Sequence, residues 1–379
     1  MKKRTRCLIL LVFFTTAANA QMKFLPQFLR KILFVKDSSR HSSIAPLPVL
    51  SSAPETGVEV GLSALYSFYT DTVNRQTRVS NVFAYGTVTT KGQSRISLST
   101  DYWLPKNTFH FIAGISYINF PSNFYGIGSD TRKADAELIG QKRLRLNLSG
   151  EKRYGKYFYL GFQSGLYKYN FAGAATPGIF DTGPNLQYRN GGTSVYLGPS
   201  FTFDTRNNNT YTTSGMLIAT KYSIYQGLGK MNDYTGGLFT IEYSQYQSLC
   251  KKLVLAWDVY DTNMTGGQSP FFLMPTLGDD ELMRGYYNGR YRDRDYTAAQ
   301  TELRYRISDR IGIVGFVGTG SVYHNGLDLT QLKPNYGGGL RYFFDVEKGL
   351  SASFDYGIGE QRPGENRQSG FYIRLGEAF

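Results

Sequence analysis

Apolar and polar residues alternate with a period of two from about residue 57 to the end of the chain, most cleanly where one face is charged. Over 134–149 the even positions read Ala134, Ala136, Leu138, Gly140, Lys142, Leu144, Leu146 and Leu148, against Asp135, Glu137, Ile139, Gln141, Arg143, Arg145, Asn147 and Ser149 at the odd ones. Over 299–308, Ala299, Leu303, Tyr305 and Ile307 oppose Gln300, Glu302, Arg304, Arg306 and Ser308. This is the period of an extended chain whose successive side chains point to opposite faces. Similar patterns place further strands at roughly 57–70, 78–90, 94–103, 108–120, 157–170, 193–205, 214–226, 234–247, 251–262, 310–322, 335–345, 349–359 and 369–379. The stretch Ile44 to Ser52, turned by Pro54-Glu55-Thr56-Gly57, supplies one more and brings the total to sixteen. Most exceed the roughly 9–11 residues that a tilted membrane-crossing strand needs, and single-chain bacterial barrels have even strand numbers. The pattern therefore predicts an all-β chain, a transmembrane antiparallel β-barrel of 16 strands over 44–379. A soluble sandwich or a propeller also alternates, but no blade-like repeat of fixed period is visible. In the strand 251–262, Leu253, Leu255, Trp257 and Val259 should face lipid, and Lys252, Val254, Ala256 and Asp258 the interior.

Composition strengthens the membrane reading. Tyr 30, Phe 26 and Gly 42 accompany a hydrophobic fraction of only 41% and a negative mean hydropathy. Aromatic girdles at two membrane interfaces and glycines in curved strands account for both excesses. The chain opens on Lys2, Lys3, Arg4 and Arg6, an apolar stretch from Leu8 to Phe14, and Ala18-Asn19-Ala20. That three-part pattern predicts a signal peptide over 1–20 and a mature chain from Gln21; the apolar stretch is too short for a membrane helix. Without the four basic residues of the leader the net charge of +13 becomes +9. The basic residues are spread along alternating strands in an exported protein, so nucleic acid is a poor partner and outer-membrane lipid a good one. Cys250 is the one cysteine left in the mature chain, which excludes an intrachain disulfide, and it reads as a small residue near a turn. Residues 21–43 form a short N-terminal periplasmic segment in which 22–36 reads either as an amphipathic helix or as a mobile tail.

Four local motifs, in order, then stand out: Phe124-Tyr125-Gly126-Ile127-Gly128-Ser129-Asp130-Thr131; Phe203-Asp204-Thr205-Arg206 with Gly215 downstream; Met283-Arg284-Gly285-Tyr286 in a long loop from about Asn263 to Tyr296, preceded by Leu277-Gly278; and the run from Gly337 through Arg341 to Asp355. Together they resemble the BamA/TamA-type surface-antigen family of outer-membrane barrels, and Met283 to Tyr286 looks like that family's (V/I)RG(F/Y) loop motif. The resemblance covers about Ile44 to Phe379. It implies a sixteen-stranded barrel, a sixth extracellular loop folded into the lumen, and a seam between first and last strands. An arginine inside a barrel must be paired or wetted, and Glu302, on the polar face of the strand after the loop, is its best partner. The family's second acid, on the next strand, is replaced here by Gly318, so either the contact is weaker or Asp355 shares it. The twenty to thirty residues expected before the first strand leave no room for the POTRA modules of assembly and translocation proteins, so such an activity calls for a separate periplasmic subunit. Phe371, Ile373, Leu375 and Phe379 share one parity, like the terminal-strand signal read by the barrel assembly machinery; the plainer reading of Phe379 is an apolar rim residue.

Enzymatic chemistry finds little purchase. His41, His110 and His324 have no metal-ligand spacing, and neither a nucleophile elbow nor a phosphate-binding loop is present. Asp279-Asp280-Glu281 reads better as a solvated loop than as a cation site. No catalysis, metal or cofactor is expected. Two roles remain: a biogenesis barrel that aids insertion or passage of proteins or lipids at the outer membrane, and a plain channel or structural barrel. In the second, a lumen lined by Arg143, Arg145, Arg304 and Arg306 would favour anions.

Overall fold

A computed structural model describes residues 40–53, 57–173, 178–183, 186–267 and 269–379. The predicted signal peptide and residues 21–39 lie outside the described residues. The barrel strands are β1 (Ser43–Ala53), β2 (Gly57–Phe68), β3 (Ser80–Thr89), β4 (Ser94–Trp103), β5 (Phe109–Asn119), β6 (Glu137–Tyr154), β7 (Phe158–Ala172) and β8 (Gly191–Asp204). They continue as β9 (Gly215–Leu228), β10 (Thr235–Cys250), β11 (Leu253–Gly266), β12 (Asp295–Arg306), β13 (Ile311–Tyr323), β14 (Lys333–Asp345), β15 (Leu350–Ile358) and β16 (Ser369–Leu375). Each pairs antiparallel with the next, from β1–β2 through to β15–β16. The two ends of the sheet meet where Cα atoms of β1 and β16 come within 8 Å.

The alternation becomes an inside-out distribution of polarity. On β11, Val254, Ala256 and Asp258 are buried in the interior while Val259 is exposed on the outer face with the parity of Leu253, Leu255 and Trp257. The outer face of the sheet carries Leu62, Leu98, Ile115, Leu148, Leu160, Leu197, Ile224, Leu303, Ile313 and Leu340, all at least 41% exposed. So wide an apolar girdle is not tolerated in water, whereas each such side chain moved into hydrocarbon contributes about 1.5–3 kcal/mol. Among the described residues no helix is long and apolar enough to cross a membrane; the strands do so.

The interior is filled rather than empty. Towards the end of the barrel that carries the long loops, inward tyrosines Tyr169, Tyr196 and Tyr225 of β7, β8 and β9 pack with Phe124, Phe180, Phe271 and Phe272, which arrive from three loops. At the other end the turn 205–214 reaches across the mouth. There Asn209 Nδ2 donates to Val79 O (3.1 Å), and the Tyr211 ring meets Phe343 edge-on at 4.9 Å.

Candidate functional site

The site is built by the loop 267–294, between β11 and β12. Phe271 and Phe272 anchor its first part among the lumenal aromatics. A two-residue ladder, Thr276–Leu277 with Tyr291–Arg292, then draws the segment between them into a hairpin. At its tip Asp279 Oδ1 accepts from the backbone N–H groups of Glu281 (2.8 Å) and Leu282 (2.7 Å). This carboxylate therefore serves a turn. Met283 follows with φ +55 and is fully buried among Leu277, Tyr286, Tyr291, Tyr296 and Val322. The hairpin thus delivers Arg284 to the inner wall.

Arg284 is fully buried. Its Nη1 donates to Asp355 Oδ2 at 2.6 Å, its Nη2 is bonded to Glu302 Oε1, and its guanidinium lies 3.6 Å from the centroid of the Phe316 ring. Glu302 Oε2 accepts from Arg304 Nε at 2.8 Å, and Asp355 Oδ1 from Arg341 Nη1 at 2.5 Å. Glu377 closes the set, with Oε2 2.7 Å from Arg341 Nε and 4.0 Å from Arg304 Nε. Read in order, Arg284, Glu302, Arg304, Glu377, Arg341 and Asp355 form a ring of alternating charge whose side chains are at most 3% exposed. Three cations alternate with three anions, with Arg374 a further cation 3.9 Å from Asp355 Oδ2, and a buried charge so paired avoids most of its desolvation cost.

The backbone of the motif is seated just as closely. Asn335 Nδ2 donates to Arg284 O (3.3 Å), Gly285 N to Tyr372 Oη (2.8 Å), Tyr286 Oη to Pro334 O (2.6 Å), and Glu360 N to Tyr286 Oη (2.9 Å). Gly285 has φ +111, and a methyl on Gly357 of β15 would stand 2.5 Å from the Arg284 carbonyl carbon. Both positions need glycine, one for its conformation and one for its lack of bulk. Gly337 and Gly339 make similar room, since added Cβ atoms would strike the Phe316 ring and the Asp355 carboxylate. The glycine run, attributed above to strand curvature, is thus also the floor on which the arginine and its partners rest.

Two neighbouring loops hold the same segment. The 124–131 motif is tied to it by Gly128 N donating to Arg292 O (2.6 Å) and Thr131 Oγ1 to Arg290 O (3.0 Å). From the loop 359–368, Glu365 pairs with Arg290 at 3.0 Å and Glu360 with Lys333 at 3.2 Å. Burial pushes the Glu365 carboxyl up, but the Lys133 N–H and the Arg290 charge outweigh it and hold it below the usual range. The motif Phe203 to Arg206 lies elsewhere, at the short-turn end, where Asp204 is bonded to Arg78 and to Arg206 (2.8 Å).

The structure corrects one sequence expectation. Phe371, Ile373 and Leu375 share the outer parity of β16, with Phe371 and Ile373 exposed there, but Phe379 does not extend that face. The strand ends at Leu375, Gly376 turns the chain with φ +89, and Phe379 enters the lumen, its ring 6.1 Å from that of Tyr246. Of the four arginines expected to line the lumen, three have partners in the structure. Arg145 donates to Tyr169 Oη (2.7 Å), Arg304 belongs to the ring, and Arg306 lies 3.9 Å over Phe343. Arg143 is inward on the same face of β6 as Arg145. Phe316, Asn335 and Tyr372 were not singled out in the sequence; their inward parity was the available signal.

A family model for the Omp85 superfamily domain matches residues 59–379. The chain belongs to the Omp85 superfamily. Similar solved structures include BamA from Haemophilus ducreyi lacking POTRA domains 1–3, with 13% identity and a TM-score of 0.55 over 89% of this chain and 70% of that one. CdiB from Acinetobacter baumannii matches with 10% identity and a TM-score of 0.53, over 88% and 65% of the two chains. CdiB from Escherichia coli matches with 11% identity and a TM-score of 0.53, over 88% and 62%. No curated protein matches. The chain thus spans about two thirds of the length of these structures, and identities this low establish likeness of fold alone. Omp85 superfamily barrels are outer-membrane proteins, and bacterial outer-membrane barrels in general have short periplasmic turns and longer extracellular loops.

Proposed function

We propose that this Omp85 barrel acts in outer-membrane biogenesis, helping other proteins or lipids into or across the membrane without enzymatic chemistry. The observation that carries the proposal is the buried Arg284, by which the surface loop 267–294 holds β12 and β15 from inside while Gly285 reaches β16. A simple pore has no need of a surface loop seated on the strands beside its seam. A barrel whose seam opens gains from one, because the loop supports the wall that remains. The occupied lumen and the pairing of Arg304 with Glu302 favour this reading over the plain anion channel. The partners proposed are outer-membrane lipid, the barrel assembly machinery for its own insertion, and a periplasmic subunit for cargo docking. An N-terminal signal cleaved after Ala20 would deliver the chain to the periplasm.

The test is reconstitution into vesicles of outer-membrane thickness, with an unfolded eight-stranded barrel supplied from outside. Faster folding of that barrel in the presence of the protein, lost on deletion of 267–294, supports the proposal. Unchanged folding together with steady anion conductance in planar bilayers would establish the channel instead.

A further inference from the structure

Arg143 and Arg145 are neighbours on the inward face of β6, and Arg292 reaches the same place from the loop 267–294. Their common neighbour is the Tyr169 hydroxyl of β7. Arg145 Nε donates to it at 2.7 Å, and it lies within electrostatic reach of Arg143 and of Arg292, as the three guanidiniums do of one another. What else touches them is neutral: the Tyr167 ring 4.9 Å from the Arg145 guanidinium, the Phe271 ring 5.3 Å from that of Arg292, and the Phe271 carbonyl, which accepts from Arg292 Nη1 at 3.1 Å. Rings and carbonyls orient a guanidinium but carry no net charge. Elsewhere in the interior arginines meet carboxylates: Arg78 and Arg206 share Asp204, Arg95 pairs with Glu59, and Arg284 with Glu302 and Asp355. Among the described residues no such ion pair involves Arg143, Arg145 or Arg292. The nearest acids on the inward face of β6, Glu137 and Glu151, lie six residues from Arg143 and from Arg145 respectively, about 20 Å of strand. Arg143 Nε and Arg292 Nε are buried with no hydrogen-bond partner, yet all three residues are only half-buried as a whole. Three cations so placed repel one another and lose hydration, unless an anion sits among them.

We propose that Arg143, Arg145 and Arg292 form a lumenal binding site for a phosphate group, free or esterified, seated beside the Tyr169 hydroxyl. A phosphate monoester carries close to two negative charges at neutral pH and three strong acceptor oxygens, one for each guanidinium, and the arginine fork matches that geometry. A carboxylate, with one charge and two oxygens, would leave most of the cluster uncompensated. Two of the arginines belong to the wall and the third to the loop, so a bound phosphate ties the loop 267–294 to β6, well apart from the partners of Arg284 on β12 and β15. Occupancy therefore favours the seated loop by mass action. The site goes beyond the biogenesis role and depends on none of it.

The test uses the full protein in neutral detergent. Millimolar potassium phosphate, against potassium chloride of matched ionic strength, should raise the midpoint of heat-modifiability and slow protease cleavage within 267–294, both saturably. Arg143→Gln should weaken the apparent affinity about tenfold or more, the value of one charge-assisted hydrogen bond. It should also raise the midpoint in phosphate-free buffer, because it relieves a repulsion, a gain that removing a merely structural arginine would not give. Lys168→Gln, an equal change of charge on the exposed outer face of β7, should leave both readouts as in the parent. Should Arg143→Gln fail to fold, Arg292→Gln takes its place with the same expected loss of affinity. Vesicles containing phosphatidic acid, against phosphatidylcholine alone, separate the sources of the group. Protection by phosphatidic acid but not by free phosphate, lost in Arg143→Gln, supports the site with a lipid headgroup as its ligand; protection by free phosphate supports it with a soluble one. Protection by neither, or protection that Arg143→Gln leaves unchanged, would overturn the site. No barrel substrate enters these assays, so failure here and failure of the biogenesis role are distinguishable.

Discussion

Replacing Arg284 with Ala removes the centre of the loop site, and the structure sets the size of the effect. Removing one partner of a buried ion pair ordinarily costs about 3–5 kcal/mol, because the other charge is left buried and alone. Here neither carboxylate is abandoned, since Glu302 keeps Arg304 and Asp355 keeps Arg341. That lowers the electrostatic loss to about 2–3 kcal/mol, by the value of charged hydrogen bonds. The stacking on Phe316, fully desolvated at 3.6 Å, adds about 1–2 kcal/mol. A total of about 3–5 kcal/mol corresponds to at least a hundredfold shift in the equilibrium between seated and released loop. Protease cleavage within 267–294 on intact cells, under conditions where opening and closing are fast relative to cleavage, reports that population directly. Arg284→Lys should fall between, because a single ammonium cannot fork to two carboxylates on different strands. A double-mutant cycle with Glu302→Gln should show a coupling of about 0.5–3 kcal/mol. Cleavage rates within threefold of the parent for Arg284→Ala would refute the reasoning, since contacts this buried cannot be removed at so little cost.

Other perturbations probe the wall, the seat and the outer ties. Leu255→Arg, on the outer face of β11, should cost about 2–4 kcal/mol if it meets hydrocarbon, measured by urea unfolding in lipid vesicles; Arg at the inward Ala256 should instead act through crowding and be insensitive to bilayer thickness. Gly357→Ala places a methyl 2.5 Å from the Arg284 carbonyl carbon and should unseat the loop at a cost of about 1–3 kcal/mol, raising cleavage within 267–294 while heat-modifiability persists. Glu365 has its carboxyl held below the ordinary value near 4.3. Its contribution is therefore complete at neutral pH and is lost only as pH falls below about 4.3 and through the depressed value. Hydrogen exchange at the Lys133 amide should be flat between pH-corrected points from 5 to 8 and rise below 4 in the parent, a rise that Glu365→Gln abolishes.

Strand positions and their two faces were legible because a period of two is a local property, readable from any eight consecutive residues. The ends fell within a few positions: Ile44 was the expected start of a strand that begins at Ser43, and the 299–308 pattern belongs to a strand that begins at Asp295. Arg284 and Glu302 were legible through motif and parity together. What parity cannot convey is who stands across the lumen. Arg304 and Arg306 were both read as lining the lumen; one binds Glu302 and Phe379, and the other stacks on Phe343. Phe379 was misplaced for a related reason: its spacing from Leu375 is even, as on a strand, but Gly376 adopts φ +89 and ends the strand's geometry. A glycine in sequence does not announce which of its conformations tertiary contacts will select.

The position of the second acid follows from packing. Gly318 lies on β13 opposite Gln300 and Asn335, and a Cβ there would stand 2.5 Å from Asn335 Oδ1 and 2.8 Å from Ala299 O. The space an acidic side chain would take is filled by Asn335, fully buried and donating to the Arg284 carbonyl. Asp355 supplies the charge from two strands further on, where its carboxylate meets Arg284 and Arg341 together. The move has a mechanical consequence. Asp355 pairs in register with Tyr372 of β16, and the Tyr372 hydroxyl accepts the Gly285 N–H. With the acid on β13 the ion pair would fall on strands farther from the seam. With it on β15, the same arginine bears on the strand paired with β16, while the Gly285 N–H reaches Tyr372 of β16 itself.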